Sequence, residues 1–584
     1  KLKQLPQENI HKNKIDEAIK LTLDFLEIPT SVFNDFDKCS ELLLSNLKIS
    51  TDESSILSDD TDHIDWYDNN SSRPYWVTHK QWLQGNLKLP YSVINSLDKT
   101  TDEIISKLEN PSRPGSWDRR GLVVGSIQSG KTSHFIALIN KAVDAGYKRI
   151  IVLSGLTNDL RRQTHQRLDE GFFGFNTELI GGVNNFTDID GDNNYLSLGK
   201  IRGSNFPRPI TLTNSGMKGD LSTNVVNQAN ILSDHPILFC IKKNKTSLQN
   251  TLKFFLSAPE VSNNVTFTNN PFKLISDDEA PYLNKSPILI IDDEVDNASV
   301  DTGNQYFDEN DIPNEEYDPK TINRLIRQLL HIHAKKAFIG YTATPFSNIY
   351  IHEDGFTKKH GPDLFPKSFI YDLPVPSNYF GIEKLYQDKN EYLYENKFIK
   401  YINDHCNDIE DLNCSNGWMP PKHEKDHNPI LETGLNPPNS LIESIYTFLI
   451  SVCFRNLRGQ LNQHKTMLIH VSKYVLVNEY IFKQVSNVLD QIRSALINPG
   501  DLNYKNLINQ LDRIYKNLKN DDLDKINSLN DLLDMENGLN QVIQDLSKNI
   551  KCLIGSSDDY LDYDNYRSKN NKGLVTIIIG GDRL

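Results

Sequence analysis

The sequence predicts an α/β protein, with parallel sheets covered by helices on both faces, a helical region in front and a helical insertion near the end. Three observations carry this. Five short apolar runs between residues 121 and 341 alternate with stretches of helical periodicity. A second alternation of the same kind begins near residue 440. Between them the chain loses its periodicity, as a connector does.

The elements follow in order. Residues 1–110 read as helical and irregular; IDEAIKLTLDFL (15–26) spaces its apolar residues as a helix does, and the acidic, Ser/Asn-rich stretch 50–72 reads as a loop. PSRPGSW (111–117) breaks the pattern with two Pro and a Gly. From 111 to 375 runs the first α/β domain. Its strands are GLVV (121–124), RIIVL (149–153), PILFCI (236–241), PILII (287–291) and KAFIGY (336–341). Phe135, Ile136, Leu138, Ile139, Ala142 and Val143 form one face of a helix that Gly146 can end. TINRLIRQLLHIHA (321–334) is amphipathic. Strands this short and uniformly apolar are buried on both faces, which is the mark of a parallel sheet. Residues 376–439 read as the connector. The second α/β domain, 440–584, has a helix at 440–457, the strand TMLIHV (466–471), a helical insertion with a charged face at about 500–550, and the strands CLIG and LVTIIIG (574–580).

Composition narrows the function classes. The chain has 584 residues, 38% apolar and 24% charged, which is the balance of a globular protein and not of a disordered one. Its net charge of −14 excludes an all-over basic coat, so any nucleic-acid surface is a local groove. Six scattered Cys form no disulfide framework and fit a reducing cytoplasm. No apolar run approaches the ~20 residues of a membrane span.

Three motifs carry chemistry. Gly125, Ser126, Ile127, Gln128, Ser129, Gly130, Lys131 and Thr132 spell GxxxxGK[ST] between a strand and a helix. Backbone N–H groups of such a loop cradle phosphates, the Lys reaches the β- and γ-phosphates, and the Thr hydroxyl holds Mg²⁺. A chance Gly/Ser turn lacks that strand and helix. Second, ILIIDDEVD (288–296) is an apolar strand running into acids. We assign Asp293 to Mg²⁺ and Glu294 to the attacking water, with Asp292 as the last strand residue and Asp296 behind them. Third, Thr342 and Thr344 of TATPF follow the strand KAFIGY, where small hydroxyls can bond the acids and sense the γ-phosphate. The cofactors expected are ATP and Mg²⁺.

In this order the motifs resemble those of superfamily-two helicase-like ATPases. The longer segments WDRRGLVVGSIQSGKT (117–132), DAGYKRIIVLSGLTNDLRRQTHQRLDEGFFG (144–174), IIDDEVDNASVDT (290–302), FIGYTATPFSNIYI (338–351), DLFPKSFIYDLP (363–374), RGQLNQHKTMLIHVS (458–472) and TIIIGGDRL (576–584) resemble the Z-one domain family, whose members are named endonucleases. The resemblance implies RecA-like domains and an ATPase subunit of bacterial restriction-like, anti-phage systems, with partners such as a MutL-like ATPase, a DNA methylase and nuclease-like components. In the family, IIIGGDRL continues into further segments, one resembling an arginine-finger motif, and these lie outside the sequence. That implies nucleotide binding with an incomplete hydrolytic site, an incomplete second domain and an unpaired apolar edge at Val575–Ile579.

Other residues leave two readings open. Arg161, Arg162 and Arg167, with Lys242, Lys243 and Lys245, follow the second and third strands. They either contact nucleic-acid phosphates, without reading sequence, or form a solvated basic face. Trp117 either stacks on adenine or sits in the core, with Arg119 beside it. His405, Cys406, Cys414, His423 and His427 match no zinc spacing and read as loop residues. The expected function is a nucleic-acid-dependent ATPase or translocase. The alternatives are an endonuclease, for which no carboxylate set beyond the ATP site is present in the sequence, and a nucleotide-switched assembly subunit.

Overall fold

In a computed structural model of the chain, the residues described are 54–61, 63–67, 72–127, 129–180, 195–222, 235–256, 286–303, 317–357, 359–375, 399–431, 437–498, 500–518, 528–549 and 572–580, the strands 265–266, 273–274 and 551–553, and a few single positions. They form two compact units, 1–387 and 388–584.

The first unit is built on seven strands. In chain order the strands are β1 (Ser55–Ser58), β2 (Trp117–Val124), β3 (Arg149–Ser154), β4 (Ile237–Lys242), β5 (Ile288–Asp293), β6 (Lys335–Thr342) and β7 (Phe369–Asp372). Their order across the sheet is β1-β7-β2-β6-β5-β3-β4. Every pair is parallel except β1 with β7. Alternate side chains of the central strands enter two cores. On one face Val123, Val152, Leu289, Ile291, Ile339 and Tyr341 pack with helix α3 (Lys131–Asp144) and with α1 (Pro74–Gly85) and α2 (Tyr91–Lys107). On the other, Leu122, Ile151, Phe239, Ile288, Ile290 and Phe338 pack with α5 (Lys245–Leu256) and α6 (Thr321–His331). Helix α4 (Asn158–Leu168) follows β3. Helices thus cover both faces, as the uniformly apolar strands require.

Three differences from the sequence reading stand out. Part of the 50–72 stretch is not loop: Ser55–Ser58 pairs antiparallel with Phe369–Asp372 as an edge strand. It is legible only through its partner, because its side chains are mostly exposed. β2 begins four residues before the GLVV run, at Trp117. The helices of residues 74–107, read as a region in front of the first domain, share its core, since Trp76, Trp82, Leu83 and Ile94 pack with Ala137 of α3. Most of 15–26 lies outside the described residues, although Ile19 and Leu23 are buried.

The second unit holds a three-stranded parallel sheet of β8 (Lys465–Ile469), β9 (Lys551–Leu553) and β10 (Val575–Gly580) in the order β8-β10-β9. The expected unpaired edge at Val575–Ile579 is therefore corrected: β10 is the middle strand, paired on both sides. Helices α7 (Asn439–Leu457) and α8 (Val475–Ile497) share its core. So do α9 (Leu502–Leu518), α10 (Leu529–Asp534) and α11 (Leu539–Asn549), through Leu507, Leu511, Tyr515, Leu532, Val542 and Leu546. The stretch expected as an insertion, about 500–550, lies in the crossover between β8 and β9 and packs into the core of this unit.

Candidate functional site

Parallel order brings the carboxyl ends of β2, β6 and β5 side by side, and a crevice outside such ends is where α/β sheets hold ligands. Each of the three motifs leaves one of these strands. The loop after β2 turns into α3 at Gly130, whose φ of 94° is the left-handed conformation that glycine adopts freely. A Cβ at Gly125 would stand 3.0 Å from Leu373 Cδ1 and 3.2 Å from both the Ser129 Oγ and the Lys131 Cγ, so a side chain there would crowd the loop. Lys131 Nζ donates to the carbonyls of Gly125 and Ser126, each at 3.0 Å, and not to a carboxylate. Burial pulls its pKa down, while the charges of Asp293, Glu294 and Asp296 pull it up. The Ser129 hydroxyl is buried with no hydrogen-bond partner. Gln128 lies outside the described residues. An ammonium held only by loop carbonyls, an orphaned hydroxyl and the N-terminus of a 14-residue helix meet in one loop, a donor set that fits phosphate.

The acids divide their work by burial. β5 extends to Asp293, one residue beyond the expected end at Asp292. Asp292 is fully buried and accepts from Lys243 Nζ at 3.0 Å and Ser299 Oγ at 2.6 Å. Burial raises its pKa, against the Lys243 charge. The Asp293 pKa is pushed up to about 6, first by burial and then by the Glu294 charge. Glu294 is exposed and holds φ at 57°, which turns the chain out of the sheet. Lys243 fixes this turn, since its Nζ also donates to the Asp293 carbonyl at 2.9 Å and the Glu294 carbonyl at 2.6 Å. From β6, Thr342 Oγ1 and Thr344 Oγ1 donate to the two oxygens of Asp296, each at 2.7 Å. The Thr344 amide donates to Thr342 Oγ1 at 2.9 Å.

Two of the residues expected on nucleic acid are corrected. Arg161 is fully buried, donating to the Asn214 carbonyl at 2.7 Å and to that of Gly216. It turns inward onto the carbonyls that the 214–216 segment places within its reach. Lys243 is buried as the clamp on the acidic turn. Arg162 is half-buried against Met217. Lys242 is half-buried and bonds Asn158 Oδ1 at 2.8 Å, and Lys245 is exposed at the start of α5. Arg167 is exposed, and its Nη1 donates to Thr132 Oγ1 at 3.0 Å, which places it at the phosphate loop.

Trp117 takes the core reading. It is buried edge-on against Tyr147, and Arg119 donates to the Lys107 carbonyl at 3.0 Å. In the second unit, His423 bonds Ser472 Oγ and the Pro420 carbonyl, and His427 the Trp418 carbonyl. Cys406 and Cys414 donate to the carbonyls of Asp408 and Asn416. Among the described residues no three His, Cys, Asp or Glu side chains are placed to hold a metal. Sequence reasoning missed Lys243 as a clamp, because a Lys after a buried strand carries no signal of which strand end it will reach.

Residues 440–584 match the family model of the Z1 domain, the family that the sequence segments resemble. No curated protein matches the chain. Among the described residues no helix is long and apolar enough to cross a membrane.

Proposed function

We propose that residues 1–387 form a RecA-like, superfamily-two helicase-like ATPase unit that binds ATP with Mg²⁺ and couples its hydrolysis to DNA. In this reading the protein is a cytoplasmic subunit of a bacterial restriction-like, anti-phage system, acting with partners such as a MutL-like ATPase, a methylase or a nuclease. One observation carries the proposal: the GxxxxGK[ST] loop, the acidic turn and the TATPF loop leave three neighbouring strand ends of one parallel sheet.

Lys131 binds the β- and γ-phosphates, while Thr132 and Asp293 hold the metal. Mg²⁺, when bound, neutralises the charge that builds on the phosphate oxygens. Glu294 is free to accept a proton from water because its backbone, not its carboxylate, is what Lys243 holds. Thr342 and Thr344 tie Asp296 to β6, so movement at the acidic turn is felt at the next strand end.

The burial of Arg161 and Lys243 favours a second reading, a nucleotide switch that drives assembly without translocation, because it shrinks the surface available to nucleic acid. ATP hydrolysis measured with and without DNA separates the two. Stimulation by DNA that disappears in Lys131→Ala supports the ATPase. Nucleotide binding with no response to DNA supports the switch. Wild-type protein whose thermal stability ignores nucleotide sinks both.

A further inference from the structure

Arg167 sits on the last turn of α4, and no carboxylate among the described residues pairs with it. Its polar contact is the Thr132 hydroxyl, at 3.0 Å. Lys131, the neighbour of that Thr, also lacks a carboxylate partner and rests on loop carbonyls. Two cations therefore converge on the N-terminus of α3 without a bonded anion between them, beside the buried and unpartnered Ser129 hydroxyl. Cations at the positive end of a helix are unfavourable, and the nearby carboxylates of Asp293, Glu294 and Asp296, whose charges act on Lys131, offset this only in part because none of them bonds Lys131 or Arg167.

We propose that Arg167 is an arm of the phosphate site, a residue of this chain that binds the terminal phosphate of a nucleoside triphosphate. The inference rests on the reading of residues 125–132 as a phosphate loop. In the phosphate-loop reading Thr132 would hold a metal that neutralises the phosphate charge, so a side chain bonded to its hydroxyl belongs to the phosphate end of the site and not to the base. A guanidinium and a metal ion cannot share the Thr132 oxygen, as both are cations. When the metal takes it, Arg167 turns its planar fork of donors to the nearest anionic oxygens, a geometry that suits phosphate. The exposure of Arg167 leaves it room to do so. Arg167 thereby distinguishes triphosphate from diphosphate.

The test is equilibrium binding, by calorimetry, of Mg²⁺ with a non-hydrolysable ATP analogue and of Mg²⁺ with ADP. Wild type is compared with Arg167→Ala, Arg167→Lys, Lys131→Ala and Gln166→Ala, the last an exposed neighbour on the same helix. Arg167→Ala should weaken the triphosphate about 10- to 100-fold, the range of a charge-assisted hydrogen bond, and ADP by less than about threefold. Arg167→Lys should recover part of the loss, and Gln166→Ala should match wild type. Equal weakening of both nucleotides, or none, overturns the role of Arg167 while leaving the phosphate loop standing. If Lys131→Ala binds both nucleotides as wild type does, the phosphate-loop reading itself falls. Unfolding temperatures without nucleotide confirm that the exposed Arg167 variants are folded.

Discussion

Asp292 and Asp293 are adjacent carboxylates with different tasks, set by which side of β5 each one faces. Asp292 faces inward to Lys243 and Ser299, and Asp293 stands where its charge acts on Lys131 of the phosphate loop. The pKa of Asp293, about 6, lies above the ordinary 3.8, so folding favours its protonated form. Below about pH 4 the residue costs no stability. The cost grows as pH rises through the interval to 6 and is complete above it. Asp293→Asn is neutral throughout, so it should raise Tm at pH 7.5 and leave it nearly unchanged at pH 4. Equal shifts at both values would mean that the carboxyl is solvated. The same titration makes Mg²⁺ binding pH-dependent, because a metal needs the deprotonated form, and affinity should fall as pH drops below about 6. For the buried pair, Lys243→Met leaves an uncompensated Asp292 and should cost roughly 3–5 kcal/mol in urea unfolding. The double variant Lys243→Met/Asp292→Asn should recover most of that stability but not the geometry of Glu294. Additive losses would show that Lys243 acts through the carbonyls alone.

Elements carry a second lesson. Helices α9 to α11 look amphipathic and solvated in sequence, with Lys and Asp on one face, and their packed face reads like that of any surface helix. In the fold, Leu511 of α9 and Leu546 of α11 are fully buried in the core that also holds Ile577 and Ile579 of β10. Leu511→Ala should destabilise the second unit by ~2–5 kcal/mol, the cost of a cavity in a well-packed core. A loss within about half a kcal/mol, as at a surface position, would restore the view of these helices as an appendage. The edge strand β1 makes the converse point. Ser-Ile-Leu-Ser carries little apolar signal, and its pairing with β7 rests on backbone hydrogen bonds that any side chains allow.

At the scale of the molecule, Lys131, Thr132, Arg167, Asp293, Glu294, Thr342 and Thr344 all belong to the first unit. Residues 1–387 expressed alone should therefore retain stabilisation by Mg²⁺ and nucleotide, seen as a rise in Tm. Loss of that rise in a folded fragment would assign part of the site to residues 388–584. The net charge of −14 sets the terms for DNA. Attraction is confined to local cations, so binding should fall steeply with salt, and Lys245→Ala should lower the salt slope by about one if Lys245 meets a phosphate. An unchanged slope would place the contact elsewhere.

By itself the sequence determined the class of the fold and the three motifs. Both are local or periodic: strands buried on two faces read as unbroken apolar runs, and a phosphate loop must place its glycines, Lys and Thr within eight consecutive positions. Tertiary structure alone decided which charges serve which partner. Arg161 and Arg167 share one helix, yet one is buried on the carbonyls of 214–216 and the other reaches Thr132. Lys242 and Lys243 are consecutive, yet only the second reaches Asp292. A long cationic side chain goes to whichever acceptors the fold places within its reach, and in a parallel sheet those belong to strands and loops distant along the chain.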